Sequence, residues 1–487
     1  MCLGYLMYRK RDKAQLSMDE FYLPFGDGLD ANNRWVKIAG IIPWDFIEEE
    51  YARNFSEDSG RPSIPSRIAF GASFIKEQEN LTDEGTVAYL CENPYAQYLV
   101  GLKAFRQEPL FDASMMVHFR KRFTPELLQR VNELMYERAY PSDESKPDDK
   151  DEPPQGGGGN KGVLILDATV APADIKYPTD LGLVNDCREN TEKIIEKLWA
   201  FSSKTGHKTA YNRRKARRNY LKVAKQRRAK LKATRRAIGE QLDYVGKNLE
   251  TLSRLKAEVG EERLSSADKK RLETIGKVYE QQRVMHDTGT RICPDRIVSL
   301  RQPHVRCIVR GKAGRPYEFG QKLHLSVVNG FTFIEDQSYD NYNEGIRLQA
   351  SAERYKERFG HYPEAILADT IYRNRENRAF CKEHGIRLSG PKLGRPRKDG
   401  SDENDAQAYQ DSCDRNMVEG RNGIGKRRYG LDLIMAYLAE TGKTEAAFII
   451  LAMNVAHLLR LIFALLWNRL KCVGWTGKPF RMAQVTA

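Results

Sequence analysis

Val163-Leu164-Ile165-Leu166-Asp167-Ala168-Thr169 is an apolar run that ends on an acid. A second stretch repeats the arrangement: Ala365-Ile366-Leu367-Ala368 leads into Asp369-Thr370-Ile371-Tyr372. Runs of four or five apolar residues bounded by polar ones fit strands buried on both faces. Strands of that kind belong to α/β sheets covered by helices, and such sheets gather ligands at the carboxyl ends of their strands. Asp167 and Asp369 are therefore candidate functional acids. The plainer reading of each is a turn former or a helix cap.

A third acid stands in a different setting, Arg415-Asn-Met-Val-Glu419-Gly-Arg-Asn-Gly-Ile-Gly-Lys426-Arg427-Arg428-Tyr429. Arg415 precedes Glu419 by four positions and Lys426 follows it by seven, so on a helix all three share one face. Read alone, this is a solvated helix face with an ion pair. Together with two strand-borne acids, it offers hard oxygens for a divalent ion and cations for a phosphodiester.

With Asp167, Asp369 and Glu419 as its acids, the chain resembles the DDE transposases of bacterial insertion sequences, most closely insertion sequence family five and its relatives. That group carries a Tyr, Arg, Glu, Lys signature with two, three and six residues between successive members. Arg415, Glu419 and Lys426 fit the intervals, while Ser412 occupies the Tyr position and Ile371-Tyr372 stands where Gly-Tyr is common. Tyr177-Pro-Thr-Asp180, Gly320-Gln-Lys-Leu-His324, and Phe111-Asp-Ala-Ser114 followed by Phe119-Arg-Lys-Arg122 add to the likeness, which spans roughly residues 60 to 460.

The resemblance implies an α/β fold, an RNase H-like mixed sheet with flanking helices and an N-terminal helical domain; it is broken by one large insertion, read below as an α-helical hairpin. It also implies a Mg2+-dependent transposase, with Mn2+ as a plausible substitute, that cuts the ends of its element and joins the 3′ hydroxyls to target DNA. Asp167, Asp369 and Glu419 would hold two ions, and Arg415, Lys426, Arg427 and Arg428 would hold DNA phosphates. The partners implied are double-stranded DNA and further copies of the chain, as a homodimer or higher oligomer. Physical chemistry supports the gathering of acids: two carboxylates about 4 Å apart repel by roughly 4 kcal/mol at an effective dielectric near 20, and metal binding relieves that. The alternative is a catalytically inactive, transposase-derived DNA-binding protein; a structural RNA-binding protein is a third reading, resting on charge alone.

The formal charge of +14 is local. Lys204 to Arg236 holds fifteen Lys or Arg and no Asp or Glu, so the rest of the 487-residue chain is near −1. Arg213, Arg214, Lys215, Arg217, Arg218, Arg227, Arg228, Arg235 and Arg236 are its cationic clusters, and no Pro interrupts them. One long basic helix is predicted. Leu242, Val245, Leu249 and Leu252 then form a seam, Gly260 a turn, and Leu272, Ile275, Val278, Gln282 and Met285 a returning helix. Like charges at i,i+4 destabilise a helix, so charge of one sign points to a DNA-gripping arm more than to a dimerisation coil.

Residues 1–140 read as a mostly helical DNA-binding domain, 141–161 as an acidic, Pro- and Gly-rich flexible linker, 162–190 and 290–470 as the catalytic domain, 191–289 as the inserted hairpin and 471–487 as a tail. Eight scattered cysteines without a Cys-x-x-Cys pair argue for a reducing compartment and against a zinc cage. The N-terminal apolar run lacks the layout of a signal peptide. Ala446 to Trp467 is apolar, but Asn454, His457 and Arg460 within it favour a buried core helix over a membrane span. A cytoplasmic, nucleoid-associated protein is expected.

Overall fold

The computed structural model describes residues 28–56, 61–141, 159–205, 208–309, 316–390 and 402–472. Most of the expected linker and of the expected C-terminal tail lies outside them, as does the N-terminal apolar run.

Six strands form one mixed sheet: β1 (Val163–Pro172), β2 (Arg306–Val309), β3 (Tyr317–Val328), β4 (Phe331–Ser338), β5 (Ala365–Leu367) and β6 (Arg387–Leu388). β3 runs antiparallel to β1 on one edge and to β2 and β4, end to end, on the other. Beyond β1 the sheet continues in parallel through β5 to β6. Gly320 is paired on both edges at once, and a Cβ there would lie 2.1 Å from the Ala171 carbonyl oxygen. Only glycine allows that approach.

β1 corrects one expectation. Its apolar run does not stop at the acid; the strand continues through Ala168-Thr169-Val170-Ala171, all buried, so Asp167 lies mid-strand opposite Leu325. Asp369, by contrast, follows the end of β5, as expected.

Helices α1 (Arg34–Ile41), α2 (Trp44–Ala52), α3 (Ser66–Glu79), α4 (Asp83–Glu92), α5 (Pro94–Leu99), α6 (Met115–Arg122) and α7 (Pro125–Ala139) precede the sheet. Thr82 caps α4 by accepting from the Gly85 amide, as Leu81-Thr-Asp-Glu84 suggests. Helices α8 (Asp180–Trp199), α9 (Arg213–Ala224), α10 (Leu231–Val259) and α11 (Ser266–Thr288) stand between β1 and β2. α8 is capped by Thr179 and therefore starts well before residue 191. The predicted continuous basic helix is broken: α9 ends at Ala224 and α10 begins at Leu231. Leu242, Val245, Ile275 and Val278 are buried against Leu183, Val184 and Cys187 of α8. Three helices, not two, thus share this core, with α9 packed alongside.

α12 (Leu348–Phe359), α13 (Arg375–Glu383), α14 (Asp402–Arg428) and α15 (Ala439–Cys472) complete the chain. One apolar cluster runs from Trp35 and Phe70 in the N-terminal helices through Leu164, Leu166, Phe331 and Phe333 of the sheet to Phe448 and Leu459 of α15. Within α15, Ala439–Ala464 is long and apolar enough to cross a membrane, but 67% of its most apolar window is buried in the protein. Asn454 is fully buried there, accepting from the Thr332 amide at 2.9 Å and donating to Asn132 at 2.8 Å. A buried ion cluster joins the same elements: Lys76 of α3 meets Glu77 at 2.7 Å and Glu445 of α15 at 3.2 Å. Glu445 also accepts from the Ala436 amide at 2.8 Å, which fastens the loop between α14 and α15.

Candidate active site

Strand periodicity decides which way each acid points. Leu164, Leu166, Ile366 and Ala368 face the main core, whereas Ile165, Ala365 and Leu367 pack with Val418 of α14 in a separate cluster. Asp167 shares the parity of Ile165, and Asp369 that of Leu367, so both acids lie on the α14 side. The β1–β5 register pairs Val163 with Ala365 and Ile165 with Leu367. The ladder ends there, two residues before Asp167 on β1 and two before Asp369, which follows β5.

α14 lies across this face and supplies the remaining groups. Arg415 reaches Asp369 Oδ1 at 3.4 Å and Glu419 Oε1 at 3.9 Å, bridging the second and third acids. One turn beyond Glu419, Asn422 donates from Nδ2 to Asp167 Oδ2 at 2.8 Å. Three acids from distant parts of the chain are therefore linked to one helix. Asp369 and Glu419 remain 61% and 63% exposed at the side chain, open to a ligand. Asp369 also caps the 3-10 turn Thr370–Tyr372, accepting from the Thr370 amide at 2.6 Å, so the cap reading and the site reading hold together.

Under the acids lies a buried polar chain. The Tyr372 hydroxyl stands 3.2 Å from His324 Nδ1, and His324 Nε2 stands 3.1 Å from Ser351 Oγ. Burial pushes the Tyr372 phenol well above its ordinary range, with Glu344, Asp167, Tyr342 and Asp369 adding to the effect. Burial pushes His324 down to about 4, so it is neutral at physiological pH. The floor of the site adds no charge.

Lys426, Arg427 and Arg428 form the last turn of α14, with Arg427 and Arg428 exposed. Arg421 is not part of this set: it is buried and donates to the Gly330 carbonyl in the β3–β4 turn. Ser412 is exposed, and Tyr429 is 1% exposed, a packing residue. Among the described residues no group of three His, Cys, Asp or Glu side chains is set to hold an ion. What bridges Asp369 and Glu419 is the Arg415 guanidinium. Asp167, Asp369 and Glu419 do carry carboxylate oxygens of the hard type that divalent ions take.

The basic segment divides into free and engaged cations. Arg213 is held by Glu192 at 2.8 Å and by Glu196. Arg236 meets Glu240 at 3.3 Å, and Arg235 donates to the His286 carbonyl at 2.8 Å. Arg214, Lys215, Arg217, Arg218, Arg227 and Arg228 are exposed and form no ion pair among the described residues. Glu192, Arg188, Tyr211 and Asn248 knit α8, α9 and α10 together: Tyr211 donates to Glu192 at 2.7 Å, and Asn248 donates to Tyr211 at 2.9 Å.

Residues 366–458, which include Asp369, Arg415, Glu419, Asn422 and Lys426, match the family model described as Transposase DDE domain. Residues 24–122, which run to the end of α6, match the model described as Transposase domain. The chain is 30% identical over 221 residues to an uncharacterized protein, ORF8 in the nfe locus, of Rhizobium meliloti; the match covers 45% of this chain and 93% of that protein. No solved structure matches. The chain belongs to the DDE transposases of insertion sequences. These domains support a transposase function and imply binding to DNA, and the family generally uses divalent metal ions.

Proposed function

We propose that this transposase, of the insertion sequence family five type, cuts the ends of its element and joins the freed 3′ hydroxyls to target DNA on an RNase H-like catalytic domain. The supporting observation is that α14 reaches both strand acids at once, Asp369 through Arg415 and Asp167 through Asn422. Asp167, Asp369 and Glu419 would hold two Mg2+ ions, with Mn2+ able to replace them. Ions held there would activate the attacking oxygen and stabilise the leaving one in an in-line displacement at phosphorus. Arg415, which contacts Asp369 and Glu419, would with Lys426, Arg427 and Arg428 orient the scissile strand. The N-terminal helices of residues 1–140 would bind the element's terminal repeats. The exposed cations of α9 and the α9–α10 turn would grip flanking duplex, with further copies of the chain completing the complex.

The test is cleavage of a duplex carrying the element's end, with Mg2+ present. Asp369→Ala should abolish cutting while leaving binding of that duplex within about twofold. Full cutting by this variant would remove Asp369 from the mechanism. Binding without cutting by the unaltered chain would leave the inactive DNA-binding reading.

A further inference from the structure

Two isoleucines stand exposed at the Asp369 side of the site. Ile371, two residues after that acid and placed where related transposases commonly have glycine, is 48% exposed. Ile346, on the 3-10 turn Glu344–Arg347, is 61% exposed. The two turns adjoin: a Cβ on Gly345 would lie 2.6 Å from the Ile371 carbonyl oxygen. Both turns are pinned. Asn343 caps that of Ile346 by accepting from the Gly345 amide at 2.9 Å. Asp369 caps that of Ile371, and fully buried Tyr372 anchors it from below. Buried Asn377 ties the two together, donating to the Gly345 carbonyl at 2.6 Å and to the Tyr372 carbonyl at 2.8 Å. A 3-10 turn sends successive side chains about 120° apart, so with Tyr372 turned inward Ile371 is turned out. Scattered apolar side chains on a surface need no explanation. A pair of stiff, β-branched ones on pinned turns cannot fold away from water and is covered only by a ligand.

We propose that Ile371 and Ile346 form an apolar platform for the base next to the scissile phosphate and hold that base out of its stack. Its place beside the scissile phosphate rests on the DNA-cutting reading above. The surroundings suit a nucleotide. Arg415 reaches Asp369 from α14, and Arg375, in the first turn of α13, is exposed and forms no ion pair among the described residues. Glu344, the acid on the turn of Ile346, is matched by Lys322 at 2.8 Å. Guanidinium groups can take the phosphates while hydrocarbon takes the face of the base. Inside a duplex each base face is covered by its neighbour, so an isoleucine gains contact only by unstacking one, as apolar side chains do when they enter a base step. The spacing also fits: two residues span at most about 7 Å, and successive bases of a strand rise by about 3.4 Å. A glycine at position 371 could not make this contact.

The experiment uses the full chain and a duplex carrying the element's end, with 2-aminopurine, which brightens when unstacked, next to the cleavage position. In chelator, binding of the unaltered chain should raise the fluorescence. Ile371→Ser, alone or with Ile346→Ser, should lose most of that rise, and Ile371→Leu should keep it. All three should unfold at the unaltered chain's temperature, because both side chains are exposed. With Mg2+, Ile371→Ser should cut the paired duplex about 5- to 10-fold more slowly, the worth of burying the exposed half of one isoleucine. It should cut a duplex mismatched at that base pair within about twofold of the unaltered chain, since a mismatched base unstacks readily. No rise with the unaltered chain, a full rise with the doubly substituted one, or equal slowing on both duplexes would overturn the platform. A full rise together with loss of oligomer would assign the pair to a contact between copies. If the unaltered chain brightens the probe but cuts neither duplex, the cutting reading falls and the platform stands as a DNA contact.

Discussion

At the scale of single residues, Arg415 has two roles that compete. Bridging Asp369 and Glu419, it partly neutralises a pair of acids that would otherwise repel. The same guanidinium cannot hold both acids and a phosphate. Arg415→Gln should therefore tighten Mn2+ binding by the DNA-free chain severalfold, and weaken its affinity for end-containing duplex. Weaker binding of both would show that Arg415 serves only to build the site. His304 is a residue with a pH signature. Burial, helped by Arg306 and Lys443, pushes its imidazole down to about 4 from the ordinary 6.5. Between those values the unfolded chain takes up a proton that the folded chain refuses, so stability is lost as pH falls through that window. Urea midpoints should drop from pH 7 to pH 4.5, and the drop should be smaller in His304→Gln; equal drops would assign the acid sensitivity to other groups.

Legibility at this scale followed charge. Asp167, Asp369, Glu419 and Arg415 could be picked out because acids after apolar runs and cations at helical intervals leave a pattern in the sequence. Asn422 could not, because a neutral amide three residues after an acid looks like any solvated helix residue. Its spacing on the 415, 419, 426 face was the available signal. Asp167 was misplaced to a strand end because Thr169 interrupts the apolar run, although its side chain is buried and the pairing with β3 carries on to Pro172.

The elements between β1 and β2 show what local patterning misses. The seam of Leu242, Val245 and Leu252 and the return from Leu272 to Met285 are buried as their spacing predicts. The break between α9 and α10 has no Gly or Pro to announce it. Glu192 is 4% exposed and accepts from Arg188, Tyr211 and Arg213. Glu192→Ala would take from buried Arg188 one of its two carboxylate partners, Glu189 remaining at 3.2 Å, and should cost less than the roughly 3–5 kcal/mol of a fully broken buried pair. Amide exchange should quicken in α9 and the neighbouring turns of α8 and α10, with the sheet unaffected; uniform quickening would mean that the bundle has no separate stability. For DNA binding, charge removal at Arg214, Lys215, Arg217 and Arg218 should reduce the log-log salt slope by about 3 to 4, near 0.9 per phosphate contact. An unchanged slope would remove this helix from the DNA interface.

Across the whole molecule, the N-terminal helices and the sheet are not separate bodies joined by a linker. They share one apolar cluster, and the Lys76, Glu77 and Glu445 ions lie at the junction. Burial and the neighbouring Glu445 push the Glu77 carboxyl above its usual range. Lys76→Met would leave two buried carboxylates without their shared cation, a loss of about 3–5 kcal/mol. Denaturation followed by Trp35 and Trp44 fluorescence should coincide with loss of far-ultraviolet circular dichroism, in the unaltered chain and in the variant. Early loss of the tryptophan signal would show that the N-terminal helices unfold by themselves. Separate readings of residues 1–140 and of the later segments had concealed this union, because contacts such as Phe70 with Phe448 leave no trace in local periodicity.

That union bears on damaged copies of the gene. A remnant lacking the stretch that encodes α1 to α6 would still spell out every acid and every cation of the α14 surface. The polypeptide made from it would lack one wall of its interior, exposing Phe448 and its neighbours to solvent. Proteolysis would clear such a product before it could occupy an element's termini, so decayed genes of this kind would be silent and not act as inhibitors of intact ones.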